Sequence, residues 1–385
     1  MAAGSISIAS ERSDRIPWYV WCAAAAVTCS MVGTHWDISW HRSIGRDTFW
    51  TPAHIVIHLC GILAGISCGY LILSTTFGGR SELRDSSVRL WGFHAPLGAF
   101  VAAWGGIAMI TSAPFDNWWH DAYGLDVKII SPPHMLLAAG ILAVHLGALI
   151  LILGNMNRAE GSLHLRFQAL FLYVGGMILV CLMILQMELT SRSVMHTVHF
   201  FRLVAITTPL VLAGIARASD FEWAATAVAG VYSTFVLLLG WILPLFPAEP
   251  KLGPVYMHVV QFVPPEFPLL LIVPAFALDL LWQRTADWGA WKQAAVSGAV
   301  FLAVFAAVQW PFANFLMSPE ARNWVFGTEY FGYATNPRSL YARYLFLPTE
   351  SGAAFWTEAA IALAVAIFTT RFGLAWGDWM RRIRR

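Results

Sequence analysis

The sequence predicts an all-α, polytopic membrane bundle of about ten transmembrane helices, and three observations carry that prediction. Apolar residues make up 58% of the 385, and charged residues only 12%, against about 25% in an ordinary soluble domain. Mean hydropathy is +0.62. The apolar residues are gathered into runs long enough to cross a hydrocarbon layer of about 30 Å, which takes roughly 20 helical residues. A chain of this length with so little charge has too little polar surface for two or three water-soluble domains. The formal charge of +2 gives no reason to expect nucleic acid as a partner. The expected surroundings are a lipid bilayer.

Taken in order, the spans fall at 17–34, 52–76, 91–113, 132–154, 168–188, 199–217, 222–246, 266–283, 292–316 and 352–371. The first follows a polar stretch, and no small-residue cleavage site comes after it, so it reads as a retained span. Basic residues set the orientation. With the N-terminus inside, the inner segments collect Arg12, Arg15, Arg80, Arg84, Arg158, Arg166 and the Arg381-Arg382-Ile383-Arg384-Arg385 tail, and with them the larger share of the 24 Lys and Arg. Ten spans bring both termini to the cytoplasmic side, in a bacterial inner membrane. The outer segments are then 35–51, 114–131, 189–198, 247–265 and 317–351. Many of the 19 tryptophans, among them Trp18, Trp36, Trp40, Trp50, Trp118 and Trp119, stand near span ends, as in an interfacial aromatic belt. The five cysteines lie in or beside apolar runs without a CxxC pair and read as small buried hydrophobes. Residues 1–160 form a four-span half that carries the motifs described next, and 161–385 add about six spans of unknown role.

The outer segments contain an internal repeat. The first runs from His35 to His54 as HWDISWHRSIGRDTFWTPAH, and the second from Phe115 to His134 as FDNWWHDAYGLDVKIISPPH. Each has Asp and His four apart (Asp37 and His41; Asp116 and His120). Each then has Gly four residues later (Gly45; Gly124) and Asp two beyond it (Asp47; Asp126). Each closes on proline shortly before a final histidine (Pro52 and His54; Pro133 and His134). Side chains at i and i+4 share one helix face, glycine permits the turn, and proline starts the next span. His54 and His134 therefore fall in the first turn of the second and fourth spans. Asp and His from one helix end, with His from the next helix start, make a three-ligand set at the membrane edge. Two imidazoles and a carboxylate suit copper, zinc or ferrous iron, and copper leads the affinity order. Each set leaves a position for a further ligand, as reactive metal sites do.

A lone Asp-x-x-x-His near a span end is ordinarily an interfacial pair in water or headgroup hydrogen bonds. Its occurrence twice, with glycine and proline in register, argues for metal. Seven of the twelve histidines (His35, His41, His54, His58, His94, His120, His134) fall in this part of the chain.

The first motif resembles the C subunit of the copper membrane monooxygenases, the particulate methane and ammonia monooxygenase family. Trp40-His41, Arg46-Asp47-Thr48 and Thr51-Pro52-Ala53-His54-Ile55 are similar to that family's W-H-x-x-x-x-R-D-T-x-F-T-P-x-H-I segment. The resemblance implies one copper on Asp37, His41 and His54. It implies a second on Asp116, His120 and His134, where the family has Asn in place of Asp116. It covers residues 15–155, and the remainder of the chain does not resemble that subunit. It further implies oxidation of a small apolar substrate or ammonia with dioxygen, and partners of the A and B subunit type or an electron donor.

Other histidines and acids offer weaker candidates. His58 lies one turn after His54 and can act as a further ligand or orient one, or pack as a core histidine. Asp47 and Asp126 can orient ligand imidazoles, or cap a helix. His35 and His94 read as structural. His196 and His199 with Arg202, together with Gln186 and Glu188, mark a polar patch at the fifth and sixth spans. The segment 253–268, with His258, Pro264, Pro265 and Glu266, suggests a re-entrant turn. Walker A, dinucleotide, HExxH and haem motifs are absent, as are the HxxHH boxes of membrane di-iron enzymes. Two further functions compete with the oxygenase. A non-catalytic copper carrier or assembly protein would favour Met and Cys ligands, and the 12 methionines show no MxxM cluster on the outer side. A proton-coupled transporter would place its ionisable residues at mid-membrane.

Overall fold

Prolines and small polar residues start several of the helices, among them those at Trp18, Pro52, Leu97, Pro132 and Val198, and glycines end the two that matter most. In the computed structural model, the described residues are 15–45, 50–79, 84–124, 131–187, 189–190, 194–251, 259–316, 318–327 and 352–384. Among them are ten α-helices: α1 (Trp18–Ser43), α2 (Pro52–Phe77), α3 (Leu97–Tyr123), α4 (Pro132–Met156), α5 (Gly161–Gln186), α6 (Val198–Ala218), α7 (Ala224–Ile242), α8 (Ile272–Arg284), α9 (Ala290–Leu316) and α10 (Gly352–Met380). Each expected span has its helix, and the chain is a helical membrane bundle.

The ends differ from expectation for physical reasons. α1 continues to Ser43 and α3 to Tyr123, past the expected ends at 34 and 113. Hydropathy falls there, but nothing breaks the helix until Gly45 and Gly124, whose φ of 100° and 83° lie in the left-handed region that glycine enters without strain. Pro114 is accommodated inside α3. α3 also starts later than the sequence suggested. Residues Val88–Leu90 (β1) and Phe93–Ala95 (β2) pair as an antiparallel hairpin. Trp91 and Gly92, both at positive φ, form its two-residue turn.

Among the described residues, eight helices are long and apolar enough to cross a membrane. α1 is long, but its apolar content is diluted by Trp, Thr and Ser, and α8 has only 13 residues.

Helix packing relies on small residues. α3 and α4 are antiparallel, and a Cβ on Gly105 would lie 2.6 Å from the Gly140 carbonyl oxygen. α2 and α3 approach in the same way, a Cβ on Gly106 lying 2.9 Å from the Gly61 carbonyl oxygen. Lipid offers no hydrophobic drive for helix association, so close backbone contact and dispersion do the work. A large buried apolar core, with Met31, Cys60, Val144, Phe171, Phe200, Phe305 and Ala366 among its members, runs from α1 to α10.

Polar side chains also tie distant segments together. Asp279 on α8 accepts from Ala225 N at 3.1 Å, Thr226 N at 2.8 Å and Thr226 Oγ1 at 2.7 Å. It thus caps the N-terminus of α7 from a distant part of the chain. Arg217 on α6 pairs with Asp378 on α10 at 2.7 Å. Asn157 holds the C-terminal tail by donating to the carbonyls of Met380 and Ile383.

Gly105→Leu should cost about 1–3 kcal/mol by overpacking, measured as a lower thermal midpoint in detergent. Asp279→Ala should cost a similar amount, about 1–3 kcal/mol, because buried donors at the start of α7 lose their acceptor.

Candidate metal centre

The repeat is folded twice into the same arrangement. In the first copy, Asp37 and His41 lie one turn apart in the last part of α1, and His54 in the first turn of α2. The antiparallel contact of α1 with α2, where Gly33 meets Ile57 and Ala53, brings the three together. Asp37 Oδ1 is 3.2 Å from His54 Nε2, and Asp37 Oδ2 is 3.8 Å from His41 Nε2. In the second copy Asp116 and His120 end α3 and His134 begins α4. Asp116 Oδ1 is 3.5 Å from His134 Nε2, and Asp116 Oδ2 is 3.3 Å from His120 Nε2. Ser131 caps α4 by accepting from His134 N at 3.4 Å, which fixes the turn that carries that histidine.

In both triads the carboxylate stands between two imidazoles, one oxygen to each, and the facing nitrogen is always Nε2. Two donors held about 2.0–2.2 Å from one metal ion are themselves about 3.0–3.6 Å apart for angles of roughly 90–120°. Three of the four contacts lie in that interval, and His41 at 3.8 Å lies just beyond it. Among the described residues no group of three or more His, Cys, Asp or Glu side chains is placed to hold a metal ion as it stands. Each triad is therefore an open arrangement.

The carboxylates supply a second observation. Asp37 Oδ1 and Asp116 Oδ1 are both buried without a hydrogen-bond donor, although each faces an imidazole nitrogen. Close approach without hydrogen-bond geometry leaves a buried anionic oxygen unsatisfied, which ordinarily costs about 1–3 kcal/mol or more. The same atom is orphaned in both copies. A cation between carboxylate and imidazoles would satisfy it, and two imidazoles with a carboxylate are a donor set whose chemistry suits a divalent metal.

The surroundings are rich in aromatic and exposed apolar side chains. Phe115, Trp118, Trp119 and Tyr123 pack around the end of α3, Trp119 and Tyr123 with ring centroids 4.5 Å apart. Ile55, Leu59, Trp118 and Met135 are exposed beside the triads. Near the first triad, residues 259–263 lie against α1: Ser39 Oγ donates to Val263 O at 2.6 Å and Val263 N donates to Ser43 Oγ at 2.8 Å. Two serines in a polar helix end are common, and the four-residue spacing of Ser39 and Ser43 on one face was the signal available for this strap.

The remaining candidates separate. His58 lies beside His54, ring centroids 6.5 Å apart. His35 is buried, with Nδ1 donating to Met31 O at 2.9 Å and its ring edge-on to Phe235. His94 lies in β2, its backbone bonded to Thr76. His196 Nε2 meets Asn314 Oδ1 at 2.9 Å, whereas His199 Nδ1 meets Arg202, which pairs with Glu358. Those two histidines engage different helices and share no common partner in these contacts. Asp47, Asp126, Glu188 and His258 lie outside the described residues.

No family model, curated protein or solved structure matches the chain.

Metal-free Asp37→Asn should be at least as stable as metal-free wild type. The amide can donate to His54 Nε2, where the carboxylate oxygen finds no donor. Thermal unfolding after chelator treatment should show no loss; a fall of several degrees would mean that Asp37 is already satisfied by a protonated histidine.

Proposed function

We propose that this chain is a copper-binding membrane protein of the monooxygenase type. One copper would be held by Asp37, His41 and His54, and a second by Asp116, His120 and His134. The observation that carries the reading is the duplicated carboxylate between two imidazole Nε2 atoms, with one buried, unsatisfied oxygen in each copy. Nitrogen and oxygen ligands of this kind favour copper in the general affinity order, with zinc and ferrous iron as competitors. The resemblance of the first motif to the C subunit of the copper membrane monooxygenases supports the same metal and the oxidation of a small apolar substrate or ammonia.

Copper, when bound, would supply the one-electron redox chemistry through which dioxygen reacts. The protein's own part is to hold and orient. Asp37 and Asp116 contribute negative charge in a partly shielded setting, their side chains 19% and 27% exposed. A histidine that binds through Nε2 carries its proton on Nδ1, where a neighbouring acceptor fixes the ring. The exposed apolar side chains of Ile55, Leu59 and Met135 give a hydrocarbon-soluble substrate a route from the bilayer. Hydroxylation of a C–H or N–H bond consumes one dioxygen, two electrons and two protons and releases water. The reading therefore requires a two-electron donor such as a quinol, and subunits of the A and B type are further candidate partners. The distribution of basic residues supports triads on the outer face and termini inside.

The test is copper content by mass spectrometry on the purified, copper-loaded protein. Wild type should hold about two coppers per chain. His41→Ala/His54→Ala and His120→Ala/His134→Ala should each lose one. Copper unchanged in both variants, or absent from wild type, would overturn the reading. Two bound coppers without oxygen uptake, with quinol and the candidate substrates supplied, would point to a copper carrier instead.

A further inference from the structure

We propose that His58 is a fourth ligand of the Asp116 site, reaching across from α2 to join Asp116, His120 and His134. The inference rests on the reading above and concerns a residue outside both triads.

The helix faces carry the argument. α2 presents two stripes. Ala53 and Ile57 meet Gly33 of α1, whereas Gly61 meets Gly106, Met109 and Ile110 of α3. Gly65 meets Gly106 as well, and His58 lies two turns before Gly65, on the α3-facing line of α2. On α3, Met109 touches both Gly61 of α2 and Gly140 of α4. Asp116 lies two turns beyond Met109 on the same line. It therefore stands where α2 and α4 converge, open to His134 from one side and to α2 from the other.

Side-chain direction closes the remaining gap. Helical side chains lean toward the N-terminus of their own helix. Because α2 and α3 are antiparallel, His58 leans up toward Asp116 while Asp116 leans down toward His58. The two lie within electrostatic range of each other, as do His58 and His54. The near-contact of Gly61 with Gly106 allows no Cβ between these helices without displacement, which keeps the interval short.

With His58 the two sites become unequal. The Asp116 site would have three imidazoles and a carboxylate, a closed four-ligand set. The Asp37 site would keep three ligands and an open position, which is the arrangement of a reactive centre.

The test isolates the Asp116 site in the full-length His41→Ala/His54→Ala protein, titrated with copper(II). Pulsed EPR should resolve three coordinated imidazoles. Adding His58→Ala should leave two and weaken copper binding at least tenfold; His58→Asn should behave alike. Two imidazoles in the starting protein, with affinity unchanged by either substitution, would overturn the inference and leave the two-site reading intact. Absence of copper(II) binding in the wild type would overturn both. Should the His58 variants fail to fold, the imidazole count in the starting protein decides the matter alone.

Discussion

The structure depends on close backbone approach between antiparallel helices at glycine. Where Gly105 faces Gly140 and Gly61 faces Gly106, a single added carbon would collide with a carbonyl of the opposite helix. Those contacts lie two to three turns from the helix ends that carry Asp116, His134 and His54. Over that length a small change in separation or rotation would part the side chains by more than a coordination bond. Small residues in the membrane interior thus set the geometry of polar residues at its edge.

A second constraint follows from burial. A carboxylate oxygen removed from water without a donor is costly, and the chain tolerates it twice at equivalent positions. Elsewhere the fold leaves its buried acids well served, as the three hydrogen bonds to Asp279 show. The contrast sets the triads apart from structural polar groups. The site and the bundle are specified by the same short stretch: the glycine that ends the helix and the proline that begins the next are also what fold the triad residues onto one another.

Much of this was legible in the sequence. The apolar runs located all ten helices, and the repeat located all six triad residues because Asp and His four apart, then Gly, then Pro, state helix, turn and helix in order. Less legible were the helix ends. Hydropathy marks where lipid ends, whereas a helix ends where the backbone is broken, and Gly45 and Gly124 lie about ten residues beyond the apolar limit of α1 and α3. The Trp91-Gly92 hairpin was hidden because its strands are three residues each. The strap on Ser39 and Ser43, the cap from Asp279 and the facing of His58 toward α3 depend on contacts between distant segments, which local pattern does not encode.

The central claim is that metal is held by imidazole and carboxylate at the membrane edge and not by the buried thiols of Cys60, Cys68 and Cys181. X-ray absorption at the copper edge of the loaded protein tests it most directly. The account predicts a shell of nitrogen and oxygen neighbours with the outer scattering of imidazole and no sulfur. A sulfur shell, or nitrogen and oxygen neighbours without imidazole, would contradict it.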